Sequence, residues 1–214
     1  MAKRAFDIFF ATAGLVLISP LLAALALGVK LSSRGPVLFR QQRVGKQGRL
    51  FNILKFRSMI VNAEELGPSI TRDGDSRVTR FGRLLRKTKL DELPQLWNVL
   101  IGEMSFVGPR PEVPKYVALY TAEQKRVLAL KPGITDLATL HFRHEEELLG
   151  TVADPEHYYL KHCIPLKIQL NLAYAQTATV WQDVKIIVRT LLPGALERRK
   201  ASPQATQGAL SHNA

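Results

Sequence analysis

IFFATAGLVLISPLLAALALGV, residues 8–29, contains no charged side chain. As one helix its 22 residues would reach about 33 Å, against a bilayer hydrocarbon core of about 30 Å. A cleaved signal peptide has an apolar region of only about 7–15 residues, and no small-residue cleavage site follows this one. A buried core helix of this length would normally carry a polar stripe, which is lacking here. Pro20 stands near the centre, directly after Ser19. A proline inside a helix removes one backbone hydrogen bond and kinks it. In lipid the freed carbonyl needs another donor, and the Ser19 hydroxyl is placed to offer one.

The flanks bear on topology. Lys3 and Arg4 precede the segment; Lys30, Arg34, Arg40 and Arg43 follow it. Both ends therefore read as cytoplasmic by the positive-inside rule. A re-entrant hairpin bent at Ser19–Pro20 satisfies both ends. A plain span would leave Lys3 and Arg4 outside, and it stays open as the less favoured arrangement.

The 214 residues carry a net charge of +12, with 46% apolar residues and one cysteine. This excludes a wholly disordered chain and a disulfide-stapled domain. The positive charge calls for an anionic partner. Residues 30–89 hold fifteen Lys/Arg against four acids, Glu64, Glu65, Asp73 and Asp75. Such a cluster beside an apolar segment suits a membrane face, where each cation contributes on the order of 1 kcal/mol. Few aromatics lie among these arginines, which argues against a nucleic-acid partner.

The expected fold class is α+β and mostly helical: an N-terminal re-entrant membrane helix hairpin (1–31), a compact cytosolic domain (32–195) and a disordered tail (196–214). Val37–Arg43 and Leu50–Phe56 read as strands around a Gly45/Gly48 turn. Asn62–Glu65 reads as the opening of a short helix. Arg80–Lys87 places Phe81, Leu84 and Leu85 on one helical face, either at a membrane interface or on the core. Glu92–Ile101 has Leu93, Leu96, Trp97, Leu100 and Ile101 at helical spacing, expected in the core. Gly108–Pro111 reads as loop. Ala122–Leu130 reads as a helix stopped at Lys131-Pro132-Gly133. Pro155–Ile164 and Leu166–Leu192 read as mostly helical.

Walker and G-x-G-x-x-G phosphate loops are absent. Asp73-Gly74-Asp75 reads as a turn more readily than as a metal site. His141 and His144 lack a close third ligand for zinc, and Cys163 reads as packing. The adjacent carboxylates Asp91 and Glu92 have two readings. Asp91 could cap a helix whose first turn holds Pro94. Alternatively, one carboxylate attacks phosphorus and the other assists, with nearby cations such as Arg86 offsetting charge repulsion. Pro109 and Pro111 restrict the loop around Arg110, whose guanidinium suits a phosphate. Lys55 and Arg57 offer further cations after a strand.

Together these residues resemble the bacterial sugar transferase family, the monotopic polyprenyl-phosphate phosphoglycosyl transferases, in their small catalytic-core type. The likeness runs from Lys3-Arg4-Ala5-Phe6-Asp7 to about Gly133 and more weakly to Leu192. It includes GPVLFRQ (35–41), RVG (43–45), KFRSM (55–59), SRVTRFGRLLRKTKLDELPQLWNVL (76–100), GEMSFVGPRPE (102–112) and KPGIT (131–135).

The resemblance implies a membrane helix bent at Ser19-Pro20 and a catalytic dyad of Asp91 and Glu92. Asp91 would attack the β-phosphate of a UDP-sugar with Mg²⁺ assistance. UMP would leave, and undecaprenyl phosphate would then take the phosphosugar from the aspartate. Lys55 and Arg110 would bind phosphates, and Asp91 would contact the metal. The implied location is the cytoplasmic face of the bacterial inner membrane, as the first step of glycan assembly. A homodimer is left open, as are the sugar and the pathway. After KPGIT the family commonly continues Gly-Leu-Ala-Gln, but here Asp136-Leu137-Ala138-Thr139 follows, which puts any ligand contact there in doubt. The competing reading is a non-catalytic membrane scaffold for later glycan enzymes.

Overall fold

The computed structural model describes residues 2–63, 65–67 and 74–192. The expected tail at 196–214, Glu64 of the expected helix and Asp73 of the D-x-D lie outside them. The apolar segment forms two helices, α1 (Ala2–Leu17) and α2 (Ser19–Ser32), bent by 64° at the break. Among the described residues no single helix is long and apolar enough to cross a membrane; this bent pair meets the length and composition only when taken together. The expected boundary at residue 31 falls one residue before α2 ends.

The bend has a local cause. Pro20 has no N–H to give the Val16 carbonyl four residues back, and the Ser19 hydroxyl donates to that carbonyl at 2.8 Å. Both ends of the pair are held on the globular body. The Arg4 guanidinium donates to the carbonyls of Val99 and Leu100 at 2.6 and 2.7 Å, and Lys3 pairs with Asp183. Asp7 is buried and accepts from the Ser105 hydroxyl and the Phe106 N–H. The corner stands clear, with Leu17 82% exposed.

Strands β1 (Leu38–Val44) and β2 (Leu50–Phe56) pair antiparallel from Leu38 opposite Phe56 to Val44 opposite Leu50. The hairpin lies between two cores. Phe51 and Ile53 face α1 and the next helices through Ala11, Val99 and Met104. Phe56 points the other way, to Leu25 and Val29 of α2 and to Leu85. Lys55 shares the face of Phe51 and Ile53 by strand alternation, so a cation is carried inward.

Helix α3 (Arg80–Thr88) starts at Thr79, whose hydroxyl accepts from the Gly82 N–H at 2.9 Å. Leu85 is buried and Phe81 packs against α2, but Leu84 turns outward. Helix α4 spans Gln95–Ile101. Trp97 and Ile101, expected in the core, are each half exposed. Helical spacing puts them on one face without saying which way that face points, and here Gln95, Asn98 and Val99 are buried instead.

Two three-residue strands, β3 (Ser105–Val107) and β4 (Gly133–Thr135), form a parallel pair that the sequence did not suggest. Between them lie α5 (Pro114–Val117) and a 3₁₀ segment, Gln124–Ala129, in place of the expected longer helix. Residues 61–63 form a turn, not a helix start, with Asn62 at φ 61°. Short helices α6 (Leu137–His141), α7 (Glu145–Thr151) and α8 (Pro155–Tyr158) follow. A π-helical turn, Tyr159–Cys163, joins α8 to α9 (Ile164–Thr177). The long helix expected to Leu192 breaks, and α10 (Val180–Leu191) restarts under a Thr179 cap. Cys163 is buried in this third core, with Val127, Leu149, Tyr159 and Ile168.

Gly82 presses α3 onto the backbone of Ser58: a Cβ added there would lie 1.9 Å from the Ser58 carbonyl oxygen. Gly82→Ala is expected to cost about 2–3 kcal/mol by overpacking. Thermal unfolding of the purified variant checks this, and an unchanged midpoint contradicts the close approach.

Candidate active site

Asp91 and Glu92 sit in a tight connection between two helices. α3 ends at Lys89, which takes the left-handed conformation (φ 58°) while its N–H bonds back to Arg86 and Leu85. A single 3₁₀ turn, Leu90–Glu92, follows, and Pro94 heads α4. The left-handed residue turns the chain sharply enough to place two consecutive carboxylates against β2. Asp91 is not the cap that one reading of the sequence expected. It lies inside the 3₁₀ turn, 7% exposed, and its Oδ1 has no hydrogen-bond partner among the described residues.

Glu92 is in the opposite condition. Lys55 Nζ donates to its Oε1 at 2.9 Å. Arg110 donates to both oxygens, one Nη at 3.3 Å to Oε2 and the other to Oε1. Burial alone would raise the Glu92 pKa, but Arg110 and Lys55 hold it well below the ordinary carboxylate range. Asp91 is pushed up, mainly by burial and further by Glu92, with Lys55 opposing. Lys55 is lowered by burial, against the pull of Glu92. The two neighbours are therefore chemically distinct. Glu92 is saturated with donors, and Asp91 keeps a lone pair uncommitted.

The Arg110 loop is pinned through its backbone. Gly108 N–H donates to the Thr135 carbonyl and Gly133 N–H to the Pro109 carbonyl, both at 3.0 Å. The two glycines allow this approach, since a Cβ on Gly108 would fall 2.2 Å from the Lys131 carbonyl oxygen. Arg43 of β1 donates to the Pro111 carbonyl at 3.0 Å. Val44 N–H donates to the Glu112 carbonyl at 2.9 Å. Pro109 and Pro111 thus act through the backbone that carries Arg110.

The other expected cations divide. Arg86, half-buried in the last turn of α3, is close enough to lower the Asp91 pKa. Arg57 is not turned to the pair. Its guanidinium donates to the carbonyls of Arg34 and Ser33 at 2.8 and 2.7 Å, closing the chain after α2. Strand alternation sends Arg57 and Lys55 to one side, but β2 ends at Phe56 and the chain has left the ladder. Asp75 is engaged by the Arg77 guanidinium at 2.7 Å. Among the described residues no group of three or more His, Cys, Asp and Glu is gathered for a metal.

Several site residues were missed. Gln95, one turn after Asp91, is fully buried, and neither of its amide atoms has a hydrogen-bond partner among the described residues. Its sequence signal is a polar residue inside an apolar run. Asp136, where a lost contact was expected, is buried and caps α6, its Oδ1 accepting from the Thr139 N–H at 2.5 Å. Its Oδ2 accepts from the Arg110 N–H at 3.3 Å and from Asn171 at 2.7 Å. No local pattern joins positions 110, 136 and 171.

A model of the bacterial sugar transferase family matches residues 1–195. UDP-N-acetylgalactosamine-undecaprenyl-phosphate N-acetylgalactosaminephosphotransferase of Aeromonas hydrophila is 40% identical over 198 residues, covering 90% of this chain and 44% of that protein. UDP-glucose:undecaprenyl-phosphate glucose-1-phosphate transferase of Escherichia coli K12 is 40% identical over 207 residues, with 92% and 41% covered. The enzyme of the same name from Caulobacter vibrioides is 40% identical over 204 residues, with 89% and 68% covered. The chain thus spans less than half the length of the first two.

Two outcomes follow from the opposed carboxylates. Asp91→Asn removes a buried charge whose ionisation the fold disfavours, so stability that is lost as pH rises through the raised Asp91 pKa is regained. The melting midpoint at neutral pH is expected to rise by about 2–4 °C, and a fall of that size contradicts a disfavoured buried charge at this position. Glu92 contributes stability above its unfolded pKa of about 4.3, and this is lost as pH falls toward its depressed folded value. A pH titration of stability should show that acid loss in the parent and not in Glu92→Gln.

Proposed function

This chain belongs to the bacterial sugar transferase family, and from that premise we propose that it moves a sugar 1-phosphate from a UDP-sugar to undecaprenyl phosphate through a covalent aspartyl intermediate. The observation that carries the assignment of roles is the uncommitted, buried Oδ1 of Asp91 beside a Glu92 already saturated by Lys55 and Arg110. In the first step an Asp91 oxygen bonds to the β-phosphorus. The bond from that phosphorus to the bridging oxygen breaks, and UMP leaves with the oxygen and its electron pair. In the second step a phosphate oxygen of undecaprenyl phosphate attacks the same phosphorus, the Asp91 carboxylate is released, and a polyprenyl diphosphate-sugar forms. Glu92 keeps Lys55 and Arg110 aimed at the phosphates.

The donor set supports a divalent cation. Asp91 and Glu92 offset Lys55 and Arg110, so the further cations near the pair that an incoming diphosphate meets are Arg86, Lys89 and Arg43. Mg²⁺ commonly uses one or two carboxylates and takes its other ligands from water and substrate phosphates. The unpartnered Asp91 oxygen fits that donor set. Bound there, Mg²⁺ would neutralise charge on the diphosphate.

The location follows from the same reading. α1 and α2 leave Phe9, Val16, Leu17, Leu27 and Leu31 exposed, and α4 adds Trp97 and Ile101. Such apolar surface favours lipid over water. With both segment ends held on the globular body and the hydrogen bond at the corner satisfied internally, a re-entrant helix on the cytoplasmic face of the inner membrane fits better than a span. The relatives' names carry different sugars, N-acetylgalactosamine and glucose, so the donor is sought in a panel.

Membranes holding the protein, given UDP-sugars and polyprenyl phosphate, are expected to release UMP with one or a few donors, and Asp91→Asn to lower this at least a thousandfold. Without acceptor, one equivalent of UMP should appear with a phosphosugar mass on the Asp91 peptide. UMP release indifferent to Asp91→Asn would remove the nucleophile.

A further inference from the structure

Pro109 and Arg110 also line a cleft, partly open to solvent, together with Tyr120, Asp136, Lys167 and Asn171 among others. We propose that this cleft receives the uncharged polar ring at one end of the diphosphate donor, with Asn171 and Tyr120 as its hydrogen-bonding residues. The inference rests on the transfer reading above and adds where the donor's specificity is set.

The orientation of Asn171 is fixed by the protein. Its Nδ2 donates to Asp136 Oδ2 at 2.7 Å and to the Lys167 carbonyl at 2.9 Å. Exchanging the amide nitrogen and oxygen would lose both bonds. Asn171 Oδ1 is then left as a buried acceptor with no donor among the described residues. Buried acceptors are rarely left so. The Tyr120 hydroxyl on the same wall also makes no hydrogen bond among the described residues, although the side chain is 9% exposed. The cleft thus presents an acceptor that needs an N–H or O–H and a hydroxyl that can give or take. Lys167 does not fill either role. Its ammonium is committed to Glu145 at 2.6 Å and lies over the Tyr159 and Phe142 rings.

Arg110 joins the cleft to the reacting centre. Its guanidinium holds Glu92 and its backbone N–H holds Asp136, which in turn holds Asn171. Because Arg110 lines the cleft as well as holding Glu92, a donor with its phosphates at Asp91 and Arg110 has one ring within reach of it. Two rings of a UDP-sugar carry the required donors: the base, through its ring N–H, and the sugar, through hydroxyl or amide groups.

Tyr120→Phe and Asn171→Ala are compared with the parent in two measurements: kcat and KM for a panel of UDP-sugars, and titration with UMP alone. KM is expected to rise three- to tenfold with kcat within twofold, as for one lost hydrogen bond. If the base occupies the cleft, UMP affinity falls in parallel and every UDP-sugar shifts equally. If the sugar occupies it, UMP affinity holds and the ranking of UDP-sugars changes. Either pattern supports the inference. Folded Tyr120→Phe protein with KM values and UMP affinity within twofold of an active parent overturns it while leaving the transfer reading intact. That variant decides alone should Asn171→Ala fail to fold. A parent that neither binds UMP nor consumes any UDP-sugar overturns the transfer reading, and this inference with it.

Discussion

The Glu92 carboxylate receives Lys55 from β2 and Arg110 from the loop after β3, and sits itself on the connection between α3 and α4. Three segments distant in sequence meet at one side chain. A buried ion cluster of this kind contributes little net stability compared with an apolar core. Breaking it from one side is costly, because a charge is left buried and unpaired. Geometry is therefore enforced by penalty. The same cluster leaves Asp91 Oδ1 without a hydrogen-bond donor among the described residues, since Lys55 and Arg110 are turned to its neighbour. Two adjacent carboxylates thus come to differ because one is paired with cations and the other keeps a buried oxygen unpaired among the described residues.

Much of this was legible in the chain. Alternation fixed β1 and β2 to within a residue or two, and the inward parity of Lys55 with Phe51 and Ile53 follows from it. Ser19 before Pro20 announced both the break and the donor that mends it. The Asp91–Glu92 pair announced itself, but its environment did not: capping and nucleophilic readings use the same residue types, and only the 3₁₀ turn after a left-handed Lys89 separates them. β3 and β4 were invisible because each is three residues long and a parallel partner lies 28 residues away. Trp97 and Ile101 were misplaced because periodicity identifies a shared face and not the direction in which that face points.

The N-terminal helices belong to the catalytic body as much as to the apolar surface. Ala11 packs with Phe51 and Met104, Leu25 and Val29 with Phe56 and Leu85, and Arg4 closes the carbonyl end of α4. α4 begins four residues after Asp91. The segment that leaves the body and the helix that follows the carboxylate pair are thus coupled through direct contacts, so the height of the corner above the body is tied to the position of the site.

The Val16 carbonyl is satisfied by a hydroxyl from the residue next to the break. The corner therefore carries no debt of hydrogen bonding into whatever medium surrounds it. The break at Pro20 thus leaves that acceptor paired whether water or an apolar phase lies around it.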